Sequence, residues 1–288
     1  MKKYIFLFLI LILSFTFVSC YGSWNIFYDG NYVESRTESI LKLDSSDADF
    51  SKSDLANLGG SYNVLVLTDL HFGSKKGEPP FNSLFNWLDS VKGSKDAPVF
   101  ALSLGDSSDV GNKSELDEYL KFCRQLTEEH GIKIIFNTCG NHDMYQGHWD
   151  NWKVSCYPHT SFYKFQTKGL SWYALDTASG TIGSNQYEIL KKEFAQDSNP
   201  KIIFTHYPLT EFRMFGIGLC ETTERNLLLD LFVKNNVECY IAGHNHYIRN
   251  SYFGFNEYCC PSFRYNKKWA VLHVDGEKGT AYIEYITR

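Results

Sequence analysis

Five short apolar runs punctuate the middle of this chain, and each breaks into a polar cluster rich in Asp, Asn and His. Val64-Leu65-Val66-Leu67 ends in Thr68-Asp69-Leu70-His71, and residues 100–104 end in Gly105-Asp106-Ser107-Ser108-Asp109. Residues 132–136 lead to Gly140-Asn141-His142-Asp143, residues 202–204 to Thr205-His206-Tyr207-Pro208, and residues 239–242 to Gly243-His244-Asn245-His246. Continuous apolar runs this short predict buried strands. In an open α/β sheet the ligand crevice lies outside the carboxyl ends of the strands, so the five clusters are expected to meet there.

Between the runs the apolar period becomes helical. Phe81, Leu84, Phe85, Leu88 and Val91 recur at helical spacing behind Pro79 and Pro80. Ser114-Glu115-Leu116-Asp117 has the form of a capping box, with Leu116, Leu120, Cys123 and Leu126 as the apolar stripe of a helix ending near Gly131. Two more helices are predicted over residues 185–194 and 224–233. Most clusters fall about 35 to 38 residues apart, enough for a strand, a helix and a return strand. The exception is Asn141 to His206, where a hairpin over residues 162–166 and 171–175 intervenes around Lys168-Gly169. After His246 the pattern is strands only, over residues 248–253, 269–274 and 280–286. Parallel crossover units followed by antiparallel strands predict an α/β protein with two sheets packed face to face and helices outside.

Composition adds size and compartment. A chain of 288 residues, 43% hydrophobic, can fill a sizeable core, and residues 61–288 are read as one globular domain. The net charge of -5 gives no general attraction to nucleic acid or anionic lipid. Residues 1–19 have the form of a signal peptide: Lys2 and Lys3 precede an apolar stretch over residues 4–18, short for a membrane span. It ends at Phe17-Val18-Ser19-Cys20, which resembles a bacterial lipoprotein signal in which Cys20 carries the lipid. Phe17 stands where leucine is usual, so ordinary secretion and an uncleaved anchor stay open as alternatives. The expected location is an exported, membrane-anchored lipoprotein, periplasmic or at the cell surface. Residues 20–60, polar and without sustained apolar periodicity, are expected to form a tether and lead-in segment. Removing Cys20 leaves seven cysteines, so at least one stays unpaired in any intramolecular scheme, and no Cys-x-x-Cys pair marks a zinc ribbon or redox motif. Neither the disulfide connectivity nor the oligomeric state is written in the spacing.

The clusters carry the chemistry. Asp, His and Asn offer oxygen and nitrogen donors without thiolate, a set suited to Mn, Fe or Zn. Two ions about 3.5 to 4 Å apart need a group that bridges them, and a carboxylate has two oxygens for that task. The glycines at 105, 140 and 243 are expected to permit sharp turns between strand and ligand loop.

Asp69-x-His71, Gly105-Asp106, Gly140-Asn141-His142-Asp143, His206 and Gly243-His244-x-His246, in that order, resemble the calcineurin-like metallophosphoesterases over roughly residues 62–250. The resemblance implies a four-layer αββα sandwich and two divalent or trivalent metal ions. It makes Asp106 the bridging ligand. Asp69, His71 and His246 would complete the first metal, and Asn141, His206 and His244 the second. His142 would stand beside the phosphate and either protonate the leaving oxygen or stabilise charge on the transferring group. Asp109 matches the acid that hydrogen-bonds this histidine in part of the family, with a helix or turn cap as its plainer reading. The implied reaction is phosphoester hydrolysis by attack of a metal-bound hydroxide. Two alternatives stay open: a non-catalytic, metal-dependent ligand-binding surface lipoprotein of the same fold, and a nuclease of the same family.

The loops beside the motifs are poor in bases. Residues 144–159 hold only Lys153 and residues 209–220 only Arg213, a phosphate clamp or a solvated arginine. Polymer binding needs clustered Lys and Arg, so a small phosphoester and no nucleic acid is the expected partner. Monoester, diester and nucleotide remain equally open. Tyr145, Trp149, Trp152 and Tyr157 form either a substrate wall or the packing of a lid. His130, His148, His159 and His273 fall outside the motifs and are read as solvated or packed.

Overall fold

The computed structural model describes residues 32–211 and 218–287. The signal-peptide stretch, Cys20 and Arg213 lie outside the described residues. The described strands are β1 (Leu41–Lys42), β2 (Ser61–Leu67), β3 (Pro98–Leu104), β4 (Ile135–Thr138), β5 (Tyr163–Thr167) and β6 (Leu170–Ala174). They continue with β7 (Lys201–Phe204), β8 (Val237–Ala242), β9 (Arg249–Tyr252), β10 (Asn256–Cys259), β11 (Lys268–Asp275) and β12 (Thr280–Thr287). One sheet runs β1-β5-β6-β7-β8-β10-β9 and the other β12-β11-β2-β3-β4. In the first, β6, β7, β8 and β10 are parallel; in the second, β2, β3 and β4 are. Both sheets also contain antiparallel pairs, so both are mixed.

Alternation along each strand divides its side chains between two cores. Val64 and Val66 of β2 join Phe100, Leu102, Phe136, Trp172 and Phe204 between the sheets. Leu65 and Leu67 point the other way, against Leu84 and Trp87 of α3 (Phe81–Val91) and Leu116 and Phe122 of α4 (Lys113–Glu128). On the far side, Tyr173, Ile203 and Tyr240 meet Leu190 and Phe194 of α6 (Gly183–Ala195) and Leu228 and Phe232 of α7 (Thr222–Lys234). Helices, sheet, sheet and helices make the expected αββα sandwich. A strand covered on both faces has no polar side, which is why these runs read as continuously apolar. Each buried Leu, Val or Phe contributes about 1.5 to 3 kcal/mol by leaving water.

Four details differ from expectation. The capping box of α4 sits on Asn112 and Glu115, not on Ser114 and Asp117, with the Glu115 carboxylate accepting from the Asn112 and Val110 backbone N–H groups at 3.3 and 3.0 Å. Its buried stripe is Leu116, Tyr119, Phe122 and Leu126; Leu120 and Cys123 are half-buried at the edge. The strand β10, too short and polar to stand out, inserts between β8 and β9, and the short helix α8 (Phe263–Asn266) interrupts the final run of strands.

The largest difference lies in the lead-in, whose described part is docked on the domain. It carries α1 (Val33–Arg36), β1 and α2 (Ala48–Ser53), and β1 pairs in parallel with β5 at the sheet edge. Val33, Leu43, Phe50 and Leu55 are buried. Arg36 enters the domain and grips Asp176 with two bonds of 2.7 and 2.9 Å, both groups buried. These partners are more than a hundred residues apart, so local periodicity carries no trace of them. No helix among the described residues is long and apolar enough to cross a membrane.

Candidate metal centre

The five polar clusters converge at the carboxyl ends of β2, β3, β4, β7 and β8. The chain turns there by an unusual route: Asp69, His71, Asp106, His244 and His246 have φ of 54°, 47°, 51°, 68° and 56°. Left-handed backbone costs a residue with a Cβ roughly 1–2 kcal/mol. Such strain survives where surrounding bonds dictate it, typically at functional sites. The bonds here are Asp69 N–H to Gly105 O at 3.1 Å, His71 N–H to Asp106 O at 2.9 Å and Gly243 N–H to His206 O at 2.9 Å.

The glycines serve this convergence in two different ways. Gly105 has φ +88° and supplies a turn, as expected. Gly140 and Gly243 do not have positive φ; what each needs is the absence of a side chain. A Cβ on Gly140 would overlap the Asp106 carboxylate, and one on Gly243 would overlap the Thr68 hydroxyl beside Asp69.

Two donor groups result, one of Asp69, His71 and His246 and the other of Asp106, His206 and His244, and a third cluster shares His71 with Asp109 and His142; in each the donor atoms lie within 4.8 Å of one another. Asp69 Oδ1 lies 3.1 Å from His246 Nε2 and 4.0 Å from His71 Nε2. Its Oδ2 accepts from the Thr68 hydroxyl at 2.7 Å and the His244 N–H at 3.2 Å. In the second group His206 Nδ1 donates to the Leu104 carbonyl at 2.8 Å, which turns Nε2 into the site. Around that nitrogen stand Asn141 Oδ1 at 3.1 Å, His244 Nδ1 at 3.2 Å and Asp106 Oδ2 at 3.3 Å. Asp106 Oδ2 also lies 3.8 Å from His71 Nε2, so one oxygen faces both groups. The other, Oδ1, accepts the His142 backbone N–H at 2.9 Å.

Electrostatics follow from burial and crowding. Burial works to raise the Asp106 carboxyl, but His206, with His71 and His142, outweighs it and holds Asp106 far below the usual carboxylate range. Burial works to lower His206, and the Asp106 carboxylate reverses this, pushing it up to about 9. His244 is pushed down to about 3 by burial and by the charge on His206.

The residues fit a metal centre on one independent observation. Both ring nitrogens of His71 are buried without a hydrogen-bond partner among the described residues. Leaving such groups unsatisfied costs about 1–3 kcal/mol each, and a cation among Asp69, Asp106 and His71 removes that cost at Nε2. All the donors are nitrogen or oxygen, the set expected of Mn, Fe or Zn sites.

His142 and Asp109 lie at the edge. The His142 Nδ1 is 2.7 Å from the Asp109 backbone carbonyl, which can only accept, so this nitrogen carries the proton. The Asp109 carboxylate lies nearer His71, 3.5 Å from its Nδ1, within the cluster it forms with His71 and His142. The expected contact between the two residues therefore runs through the backbone of Asp109 and not its side chain.

Two contributors had no assigned part in the sequence. Asp143 is fully buried and accepts from Ser108 N–H at 2.9 Å, the Ser108 hydroxyl at 2.8 Å and Gly140 N–H at 3.0 Å, stapling the loops after β3 and β4. Its place inside the Gly-Asn-His-Asp cluster was the available signal. Tyr207 stacks on His244 with ring centroids 3.8 Å apart. Of the four aromatics read as a substrate wall or lid packing, Trp149 and Trp152 on α5 (Trp149–Ser155) are buried and stacked in the outer core, and the Tyr157 hydroxyl bonds Asp47. Of these four, Tyr145 alone stands exposed beside the centre, 4.4 Å from the His142 ring. His130, His148, His159 and His273 bond Asp89, Val110 O, Lys153 O and Asn63, away from the donor groups.

The family model for the calcineurin-like phosphoesterases matches residues 62–247. No curated protein matches the chain. Among solved structures, a dimetal phosphatase from Danio rerio is similar with a TM-score of 0.56 at 12% identity, over 74% of this chain and 93% of that one. GAP50, the anchor in the inner membrane complex of Plasmodium, is similar with a TM-score of 0.52 at 14% identity, over 80% of this chain and 90% of its own. At these identities the likeness is one of fold.

Proposed function

The chain belongs to the calcineurin-like phosphoesterase family, and from that premise we propose that it hydrolyses small phosphoesters with two metal ions. Asp69, His71 and His246 would hold one ion and Asn141, His206 and His244 the other, with Asp106 between them. When bound, the ions would acidify a coordinated water, orient the phosphate oxygens and offset their charge. The observation that carries this reading is the position of Asp106 Oδ2, 3.3 Å from a nitrogen of one donor group and 3.8 Å from a nitrogen of the other. A protein that used the fold only as an anchor would have no need of a shared carboxylate oxygen between two converging donor groups.

His142 is the acid in this scheme. Its Nδ1–H is committed to the Asp109 carbonyl, which orients the ring and leaves Nε2 for the reacting group. As water adds to phosphorus and the ester P–O bond breaks, the doubly protonated ring, holding Nδ1–H on the Asp109 carbonyl, gives its Nε2 proton to the departing oxygen, and the proton shed by the water restores the ring for the next turnover. The Asp106 carboxylate supports this residue too, by accepting the His142 backbone N–H.

A small ester suits the supply of cations. Arg264, which reaches the loop after β2, is spent on the carbonyls of Leu70, Ser74 and Gly77, at 2.8, 3.3 and 2.9 Å. Residues 144–159, which follow the Gly-Asn-His-Asp cluster, hold only Lys153, a thin supply for tracking a polymer backbone. Export and anchoring through a lipid on Cys20 belong to the same proposal and rest on the signal-like N-terminal sequence.

Purified protein loaded with Mn would be assayed on an aryl phosphomonoester, an aryl phosphodiester, a mononucleotide and single-stranded DNA, over roughly 50 to 200 mM salt. Turnover of one of the small esters, with two metals per chain by elemental analysis, is expected. Absence of turnover on all four would favour the ligand-binding alternative. A preference for DNA that falls steeply with salt would favour the nuclease alternative.

A further inference from the structure

Asn141 is the one carboxamide in the donor set, and its amide has two ends of similar shape and opposite polarity. Only the oxygen end can bind a cation. In the structure Oδ1 faces His206 Nε2 at 3.1 Å, while Nδ2 donates to the Tyr145 hydroxyl at 3.1 Å. Asn141 opens the short 3₁₀ segment His142–Gly147 that carries Tyr145, so one local turn presents both side chains. The Tyr145 ring leans on His142 at 4.4 Å and is 43% exposed, so nothing in the core requires a tyrosine there.

We propose that Tyr145 is a positioning residue for the metal site that contains Asn141: its hydroxyl takes the amide nitrogen and thereby keeps the amide oxygen turned toward His206. This rests on the two-metal reading above. Partners of metal ligands that fix orientation in this way typically account for 10- to 100-fold in metal affinity. The phenol ring and its contact with His142 are kept in Tyr145→Phe, which removes only the hydroxyl. The effect should therefore fall on the site of Asp106, Asn141, His206 and His244 and spare the site of Asp69, His71 and His246.

The test is calorimetric titration of Mn into metal-stripped wild type, Tyr145→Phe, Asn141→Ala and the double variant, with circular dichroism as a check on folding. Wild type should show two binding events, and Tyr145→Phe should weaken one of them by about 10- to 100-fold. Asn141→Ala should weaken the same event, and adding Tyr145→Phe to it should change nothing further, because the hydroxyl acts through the amide. An unchanged isotherm for Tyr145→Phe would overturn the proposal, whether or not KM rises. So would effects that multiply in the double variant. Wild type that takes up no Mn would defeat the two-metal reading itself, a failure distinct from a wild-type isotherm in Tyr145→Phe alone.

Discussion

Asp106→Asn is the sharpest perturbation available, because it keeps the shape of the side chain and removes its charge. Against burial, Asp106, aided by Asp69 and the Leu104 carbonyl, holds His206 at about 9 against an ordinary 6.5, a displacement of about 3 kcal/mol at roughly 1.4 kcal/mol per tenfold, of which Asp106 supplies the largest share. A divalent ion in place of the imidazolium feels the lost charge at least as strongly. Metal affinity should then fall by about 100-fold or more at both sites, since 1.4 kcal/mol is tenfold in binding, and most activity should go with it. The metal-stripped proteins offer a second readout. A histidine raised by folding stabilises the protein fully below its unfolded value of 6.5, and that contribution is lost as pH rises through about 9. Stripped wild type should therefore lose melting temperature as pH rises from about 6.5 to 9, and stripped Asp106→Asn should show a shallower slope, the remainder coming from His246, which Asp69 raises. Elemental analysis, Mn titration and thermal melts over that range are the assays. Two metals bound at wild-type affinity in Asp106→Asn, with turnover intact, would refute the bridging role.

Three further outcomes are expected. His142→Ala should keep both metals by elemental analysis while kcat falls by roughly 10² to 10⁴; unchanged turnover would remove His142 from the mechanism. Arg36→Ala leaves Asp176 buried without its guanidinium partner and should cost about 3–5 kcal/mol in urea denaturation, so a loss below about 1 kcal/mol would mean that the docked N-terminal segment is not held by this pair. Cys20→Ser should abolish acyl labelling and partition into detergent; a wild-type chain that is never acylated would refute the lipid anchor.

The donor set was legible in sequence because each member sits two to four residues past a buried strand, and a buried strand announces itself by an unbroken apolar run. The strands β2, β3, β7 and β8 could be located that way, and parallel packing carries their ends to one crevice. The same logic failed where the partner is distant. Arg36 reads as an ordinary polar residue, and only its meeting with Asp176, 140 positions away, makes it a buried ion pair. The stripe of α4 slipped from Leu120 and Cys123 onto Tyr119 and Phe122 because the surface it packs against sets its phase.

Within the site, the sequence by itself determined which atoms are available and at which strand ends they emerge. Tertiary structure alone decided how they are shared. One oxygen of Asp106 faces both donor groups while the other is taken by the His142 backbone. Gly140 and Gly243 are needed for close approach, and the carbonyl of Asp109, not its carboxylate, holds His142. Chemistry of this kind depends on distances of a few tenths of an ångström between residues far apart in the chain. Local spacing carries the identity of the donors, and only the packed sheets fix those distances.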